Sequence, residues 1–118
     1  VELALTFLLS GCWEVPTIEA CVSAQRKESG VVISVTEAPA CSRPLRPPQD
    51  SWITIWVDGK QAWTARVIGE VELTTIEIEN PPEEIKNSAG YDSSLLKPGV
   101  KAEFAISGLY AHGMFVVP

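Results

Sequence analysis

The sequence predicts an all-β fold, a small antiparallel β-sandwich, on three observations. No stretch of about 10–12 residues carries a 3.6-residue apolar period, so long helices are not expected. Short runs rich in Val, Ile, Thr and Trp recur along the chain. Gly, Pro and Asn turns separate those runs at intervals suited to strands. The 118 residues suffice for one cored domain and are too few for a second.

The strands follow in order. Residues 31–35 are β-branched and short. Residues 52–57 form the next run and end at Asp58-Gly59, with 61–68 as the hairpin partner. A three-residue loop with a glycine bulge would set Trp56 opposite Lys60. One face would then carry Ile53, Ile55, Val57, Trp63, Ala65 and Val67. The other would carry Trp52, Thr54, Trp56, Lys60, Ala62, Thr64 and Arg66. A two-residue Asp-Gly turn would mix the faces and leave Lys60 beside the isoleucines, so the longer loop is the expected one. Along 70–79, Val71 and Leu73 share one parity, Ile76 and Ile78 the other. A regular strand alternates with period two, so Thr74-Thr75 is expected as a bulge or a change of sheet. Residues 100–107 make the best amphipathic strand, and 114–117 close the set. The expected core is Val31, Ile33, Val35, Ile53, Ile55, Val57, Trp63, Val67, Val100, Phe104 and Ile106. An immunoglobulin- or transthyretin-like arrangement suits this count of strands.

Two loops interrupt the pattern. Residues 38–48 hold four prolines, which cannot donate to a ladder, and are expected outside the sheet. Residues 80–97 open with Pro81-Pro82, with one helical turn expected near Glu83–Lys86. Loops of this length are uncommon unless functional or mobile.

Apolar residues are 46% and charged residues 20% of the chain, a globular composition. The net charge of −6 disfavours nucleic-acid binding, which draws its affinity from Lys and Arg on phosphates. No apolar run approaches the roughly 18 residues needed to span a bilayer as a helix.

Near the start, Leu3–Leu9 is apolar and Leu9-Ser10-Gly11-Cys12 follows. This tetrad resembles the lipobox of bacterial lipoproteins. The resemblance implies cleavage before Cys12 and lipidation of its sulfur and nitrogen, with three acyl chains giving a stable anchor. Residues 1–11 would be a signal-peptide remnant, 12–20 a lipidated tether, and 21–118 the β-sandwich domain. Trp13 in place of Asp implies the outer membrane as the destination. The chain has no Met or cationic residue before the apolar run, and Glu2 stands where a positive charge is expected. The other reading of this segment is a buried first strand with Cys12 a free thiol. With Cys12 assigned to lipid, Cys21 and Cys41 remain as an expected disulfide, which places the domain in the periplasm or outside the cell.

Candidate contact residues are of two kinds. Trp52 and Trp56 share the mixed face of the hairpin, and exposed Trp near Arg is common at interface hot spots. Between Glu70 and Asp92 lie seven acids and one base; Glu77, Glu79, Glu83, Glu84 and Asp92 among them would steer a basic partner. The acids scatter along strands and match no Ca²⁺-loop pattern, so no metal is expected. There is no Gly-x-Ser-x-Gly elbow, phosphate loop or His-Glu-x-x-His helix, and the lone His112 is expected in a turn. No enzyme activity and no cofactor are expected.

The lipobox, the size and the pattern 96–104 (Leu-Lys-Pro-Gly-Val-Lys-Ala-Glu-Phe) together resemble small periplasmic lipoproteins identified as immunity proteins of type VI secretion. That resemblance implies a protein that neutralises an injected toxin by occluding it. The alternative is a structural or assembly lipoprotein of an envelope or secretion machine.

Overall fold

The computed structural model describes residues 18–28, 30–87, 91–109 and 111–118. Its strands are β1 (Ile18–Lys27), β2 (Gly30–Glu37), β3 (Trp52–Val57), β4 (Lys60–Val67), β5 (Thr75–Glu77), β6 (Ile85–Asn87), β7 (Lys101–Ile106) and β8 (Ala111–Val116). They form one sheet in the order β5-β2-β1-β8-β7-β3-β4-β6, curled into a half-barrel. All pairings are antiparallel except β1 with β8, which is parallel and limited to Ile18–Glu19 against Ala111–His112. The sheet is therefore mixed. The lipobox and Cys12 lie outside the described residues.

β1 is the longest strand, and the sequence reading did not place it. Its signal is present: Ile18, Ala20, Val22 and Ala24 alternate with Glu19, Cys21, Ser23 and Gln25. Small alanines in two of the apolar places weaken the pattern. Those four side chains pack on the core, and β1 starts at Ile18, inside the span expected as tether. After Glu19, β1 leaves β8 and crosses the core-facing side of Gly113. A Cβ there would sit 2.5 Å from Val22 Cγ2 and 2.7 Å from the Ala20 carbonyl oxygen, so the crossing requires glycine. The Cys21–Cys41 disulfide, with Cα atoms 5.6 Å apart, ties β1 to the proline-rich loop after β2.

The hairpin reaches the expected face separation by another route. Asp58 (φ 50°) and Gly59 (φ 75°) form a two-residue turn with both residues left-handed. Val57 then pairs with Lys60 and Trp56 with Gln61, so Lys60 shares the side of Val57 and Gln61 takes the place beside Trp56 that was expected for Lys60. A bulge between Ile55 and Trp56 shifts the register, so that Ile55 meets Trp63 and Trp52 meets Arg66. Ala62 is the extra residue; it is fully buried in the core instead of lying on the mixed face. The bulge repairs the parity that a two-residue turn would otherwise spoil.

Residues 70–74 are not a strand. Leu73 exchanges backbone hydrogen bonds with Leu45 (2.7 and 3.0 Å), and β5 begins only at Thr75. The change of parity lets Leu73, Ile76 and Ile78 all reach the core. The helical turn expected at 83–86 is a tight turn, with the Ile85 amide on the Pro82 carbonyl at 3.0 Å, leading into β6. Of the expected core, all but Val100 are buried, and Val100 packs against it half-buried. The Asn87 side chain links the two edges of the sheet. The buried Trp63 indole donates to Asn87 Oδ1 (2.9 Å), and Asn87 Nδ2 donates to the Ile78 carbonyl (3.4 Å).

Candidate functional site

The outward face of β4, β3, β7 and β8 is built by the alternation that fills the core on the other side. Three cross-strand rows follow from the register. Trp52 stands between Arg66 and Ser107, and its amide donates to Ser107 Oγ at 3.0 Å. Thr54 stands between Thr64 and Ala105, and Ala105 beside His112. Trp56 stands between Gln61 and Glu103, and Glu103 beside Met114. A fourth row sets Lys101 beside Val116.

Trp52 is 43% exposed, Met114 53% and Val116 55%. These are three of the four exposed large apolar side chains among the described residues, and all lie on this face. Trp56 is half-buried. Thr54 and Thr64 are buried between them, their hydroxyls 3.1 Å apart, and Thr64 Oγ1 also lies 3.3 Å from the Ile53 carbonyl. The centre of the face is thus internally satisfied in its hydrogen bonds, while its apolar margin remains open to solvent. Arg66 is ion-paired with Asp50. His112 lies in β8 and not in a turn, with Nε2 3.9 Å from Glu103 Oε2.

The acidic candidates are elsewhere. Glu77 is on β5 opposite Val32, at the far edge of the sheet from β3. Glu79 places its carboxylate against Gly30, where a Cβ would lie 2.7–2.9 Å from it, and accepts from Tyr91 Oη at 3.4 Å. Burial, and then the Glu79 carboxylate, hold the Tyr91 phenol above its ordinary 10.0. Glu83 and Glu84 occupy the turn before β6, with Glu84 against Gly69. Asp92 accepts from the Ser94 amide (3.0 Å) to cap the Ser93–Leu95 turn. Its own amide donates to the Ala62 carbonyl at 2.8 Å. The structure therefore brings Trp52 and Trp56 onto one face, and sets Glu77 on the edge strand β5, Glu79, Glu83 and Glu84 between β5 and β6, and Asp92 after β6. Met114 and Val116 are exposed apolar residues of this face that sequence reasoning did not single out. Their alternation with Gly113, Phe115 and Val117 was the signal that could have found them.

Two of the open clefts on the described surface share Arg46 in their lining. One, of about 480 Å³, is lined by Arg46, Pro47, Glu70, Val71 and Glu72, with Arg46 and Glu72 paired at 2.8 Å. The other, of about 400 Å³, is lined by Ile18, Glu37, Arg43, Pro44, Leu45, Arg46 and Leu109. The described residues lining them include no His, Cys, Ser or Thr. Among the described residues no three His, Cys, Asp or Glu side chains group to hold a metal. No known protein family matches the sequence, and neither the curated proteins nor the solved structures contain a match.

Proposed function

We propose that this chain is a protein-binding domain of the bacterial cell envelope that docks through the outward face of β3, β7 and β8. One observation carries the reading: Trp52, Met114 and Val116, all substantially exposed, lie on the same outward face of the sheet, with half-buried Trp56 in the row of Met114 across Glu103. Trp and Met are among the residue types enriched at protein interfaces, and three of the four exposed large apolar side chains among the described residues share this one face. The Cys21–Cys41 disulfide supports an oxidising compartment. The lipobox resemblance supports anchoring at Cys12 and a periplasmic position at the outer membrane. In this reading the parts of the sheet are layers of an immunoglobulin- or transthyretin-like sandwich, β1, β2 and β5 facing the rest. The crossing of β1 over Gly113 and a core drawn from both parts support that arrangement.

The specific form we favour is an immunity protein that occludes a secreted toxin; a structural or assembly lipoprotein is the alternative. The test is a pull-down of the C-terminally tagged full chain from its native envelope, beside a Met114→Asp/Val116→Asp variant. The expected result is one stoichiometric partner, lost in the variant. A toxin-like enzyme as that partner supports immunity, and components of an envelope machine support assembly. Undiminished recovery by the variant overturns the docking face.

A further inference from the structure

β8 has one satisfied side and one open side. Val117 makes both of its backbone bonds on the β7 side: its amide donates to the Val100 carbonyl (2.9 Å) and its carbonyl accepts the Gly99 amide (2.8 Å). Backbone groups in an antiparallel ladder face alternate sides. Phe115 and Gly113 therefore also face β7, while His112, Met114 and Val116 face away from it. On that other side β1 takes up His112. The parallel pairs are Ile18 with Ala111 and Glu19 with His112, and the ladder stops there. From Ala20 onward β1 pairs with β2 alone, and the Ala20 carbonyl lies over Gly113. Arg26 ties the far end, its Nε and Nη2 donating to the Pro118 main-chain oxygen (3.3 and 3.1 Å). Between these two ties, the N–H and C=O groups of Met114 and Val116 have no backbone partner among the described residues. Both residues are more than half exposed, so this stretch of edge is open to solvent.

We infer that this edge pairs with β8 of a second copy of the chain, antiparallel about a two-fold axis. Opposed residues of an antiparallel hydrogen-bonded pair exchange both bonds. A two-fold contact sets residue i of one copy against j of the other, and j against i. Met114 opposite Val116 of the other copy therefore makes four hydrogen bonds and uses every open group on both edges. The neighbouring registers fail. Met114 opposite Met114 sets Val116 against His112, whose backbone is taken by β1. Val116 opposite Val116 sets Met114 against Pro118, which has no N–H and whose oxygen is held by Arg26. Side-chain charge agrees with the favoured register. Glu103 stands beside Met114 and Lys101 beside Val116. Each row across the joint then runs Glu103, Met114, Val116, Lys101, with the acid from one copy and the base from the other. The inference goes beyond the docking reading and stands without it, because edge pairing leaves both outward faces outward and joins them into one surface.

Sedimentation and amide hydrogen exchange on the purified full chain test this. A ladder of two residues a side is a small, weak interface. The expected mass therefore rises from one copy towards two as concentration goes from about 1 μM to 1 mM. In step with it, exchange at the Met114 and Val116 amides slows about tenfold or more. Val116→Pro removes one edge N–H and no bond to β7, and is expected to stay single at every concentration. Val116→Ala keeps that N–H and is expected to retain the slowed exchange at Met114. Thermal melting shows that each variant folds; if Val116→Pro does not, the wild-type and Val116→Ala amides decide. A single copy throughout, pairing that leaves both amides exchanging freely, or undiminished pairing in folded Val116→Pro overturns the inference. Slowing that appears only with an envelope partner bound, in a chain that never pairs with itself, overturns it in favour of a foreign strand. If the chain stays single yet captures a partner that Met114→Asp/Val116→Asp loses, edge pairing falls and the docking reading stands.

Discussion

Asn87 shows how much a single side chain can decide. Its amide accepts from the indole of the wholly buried Trp63 and donates to the Ile78 carbonyl, so it closes the half-barrel between strands that form no ladder with each other. Removing it orphans the indole N–H. Asn87→Ala is expected to cost about 1–3 kcal/mol in urea unfolding. Asn87→Asp keeps the acceptor for Trp63 but turns a second oxygen on the Ile78 carbonyl, and is expected to be destabilised as well. Gly113 is a steric counterpart. Gly113→Ala forces a methyl group into Val22 and the Ala20 carbonyl, and about 1–3 kcal/mol of destabilisation is expected by the same measurement. Tyr91 gives a titration to follow. Its phenol is raised by burial first and by Glu79 second. A proton held more tightly in the folded state stabilises below the unfolded pKa of about 10 and is lost as pH rises through the higher folded value. Ultraviolet titration should show one of the two tyrosines ionising late, and Glu79→Gln should bring that ionisation earlier.

At the scale of elements, the β3–β4 hairpin and the disulfide loop obey different constraints. The hairpin combines a left-handed Asp58-Gly59 turn with a bulge at Ala62, and either alone would put the wrong side chains in the core. The proline-rich loop has little ladder pairing; the bonds Glu37 N to Arg43 O and Leu45 to Leu73 are its main backbone ties. The disulfide therefore matters most there. By loop-closure entropy, a bridge across a sequence separation of 20 is expected to contribute about 3 kcal/mol. The double substitution Cys21→Ser/Cys41→Ser should lower the urea midpoint accordingly, with the unfolding slope checked separately for a change in the unfolded chain.

The whole molecule is a sheet whose middle is long and whose edges are short. β3, β4 and β7 supply most of the fully buried side chains, including Trp63, Phe104, Ile53, Ile55 and Ile106. β5 and β6 are three residues each and pair on one side only. Short edges limit unwanted strand addition. They should also open first: hydrogen exchange is expected fastest at the amides of β5 and β6 and slowest at β3, β4 and β7. Uniform protection across all eight strands would contradict a half-barrel closed by the Asn87 side chain. The same architecture turns one face of the β4–β3–β7–β8 group outward, and no layer of the described residues covers Trp52, Met114 and Val116.

The amino-acid sequence by itself determined the all-β class, most of the expected core side chains and the face on which Trp52 and Trp56 stand. Period-two alternation is a local property, and burial on one side of a strand is enough to read it. The pairing of Cys21 with Cys41 was legible from the cysteine count once Cys12 was given to lipid, and the structure contains it. Tertiary structure alone decided which strands are neighbours, the parallel contact of β1 with β8, and the closing of the edges through Asn87. It also decided that Glu77 stands at the opposite end of the sheet order from the strand that carries Trp52 and Trp56. These are facts of long-range register. A strand's alternation says which side chains point together, but a one-residue bulge or a crossing over a glycine sets what they point toward, and neither leaves a periodic trace in the sequence.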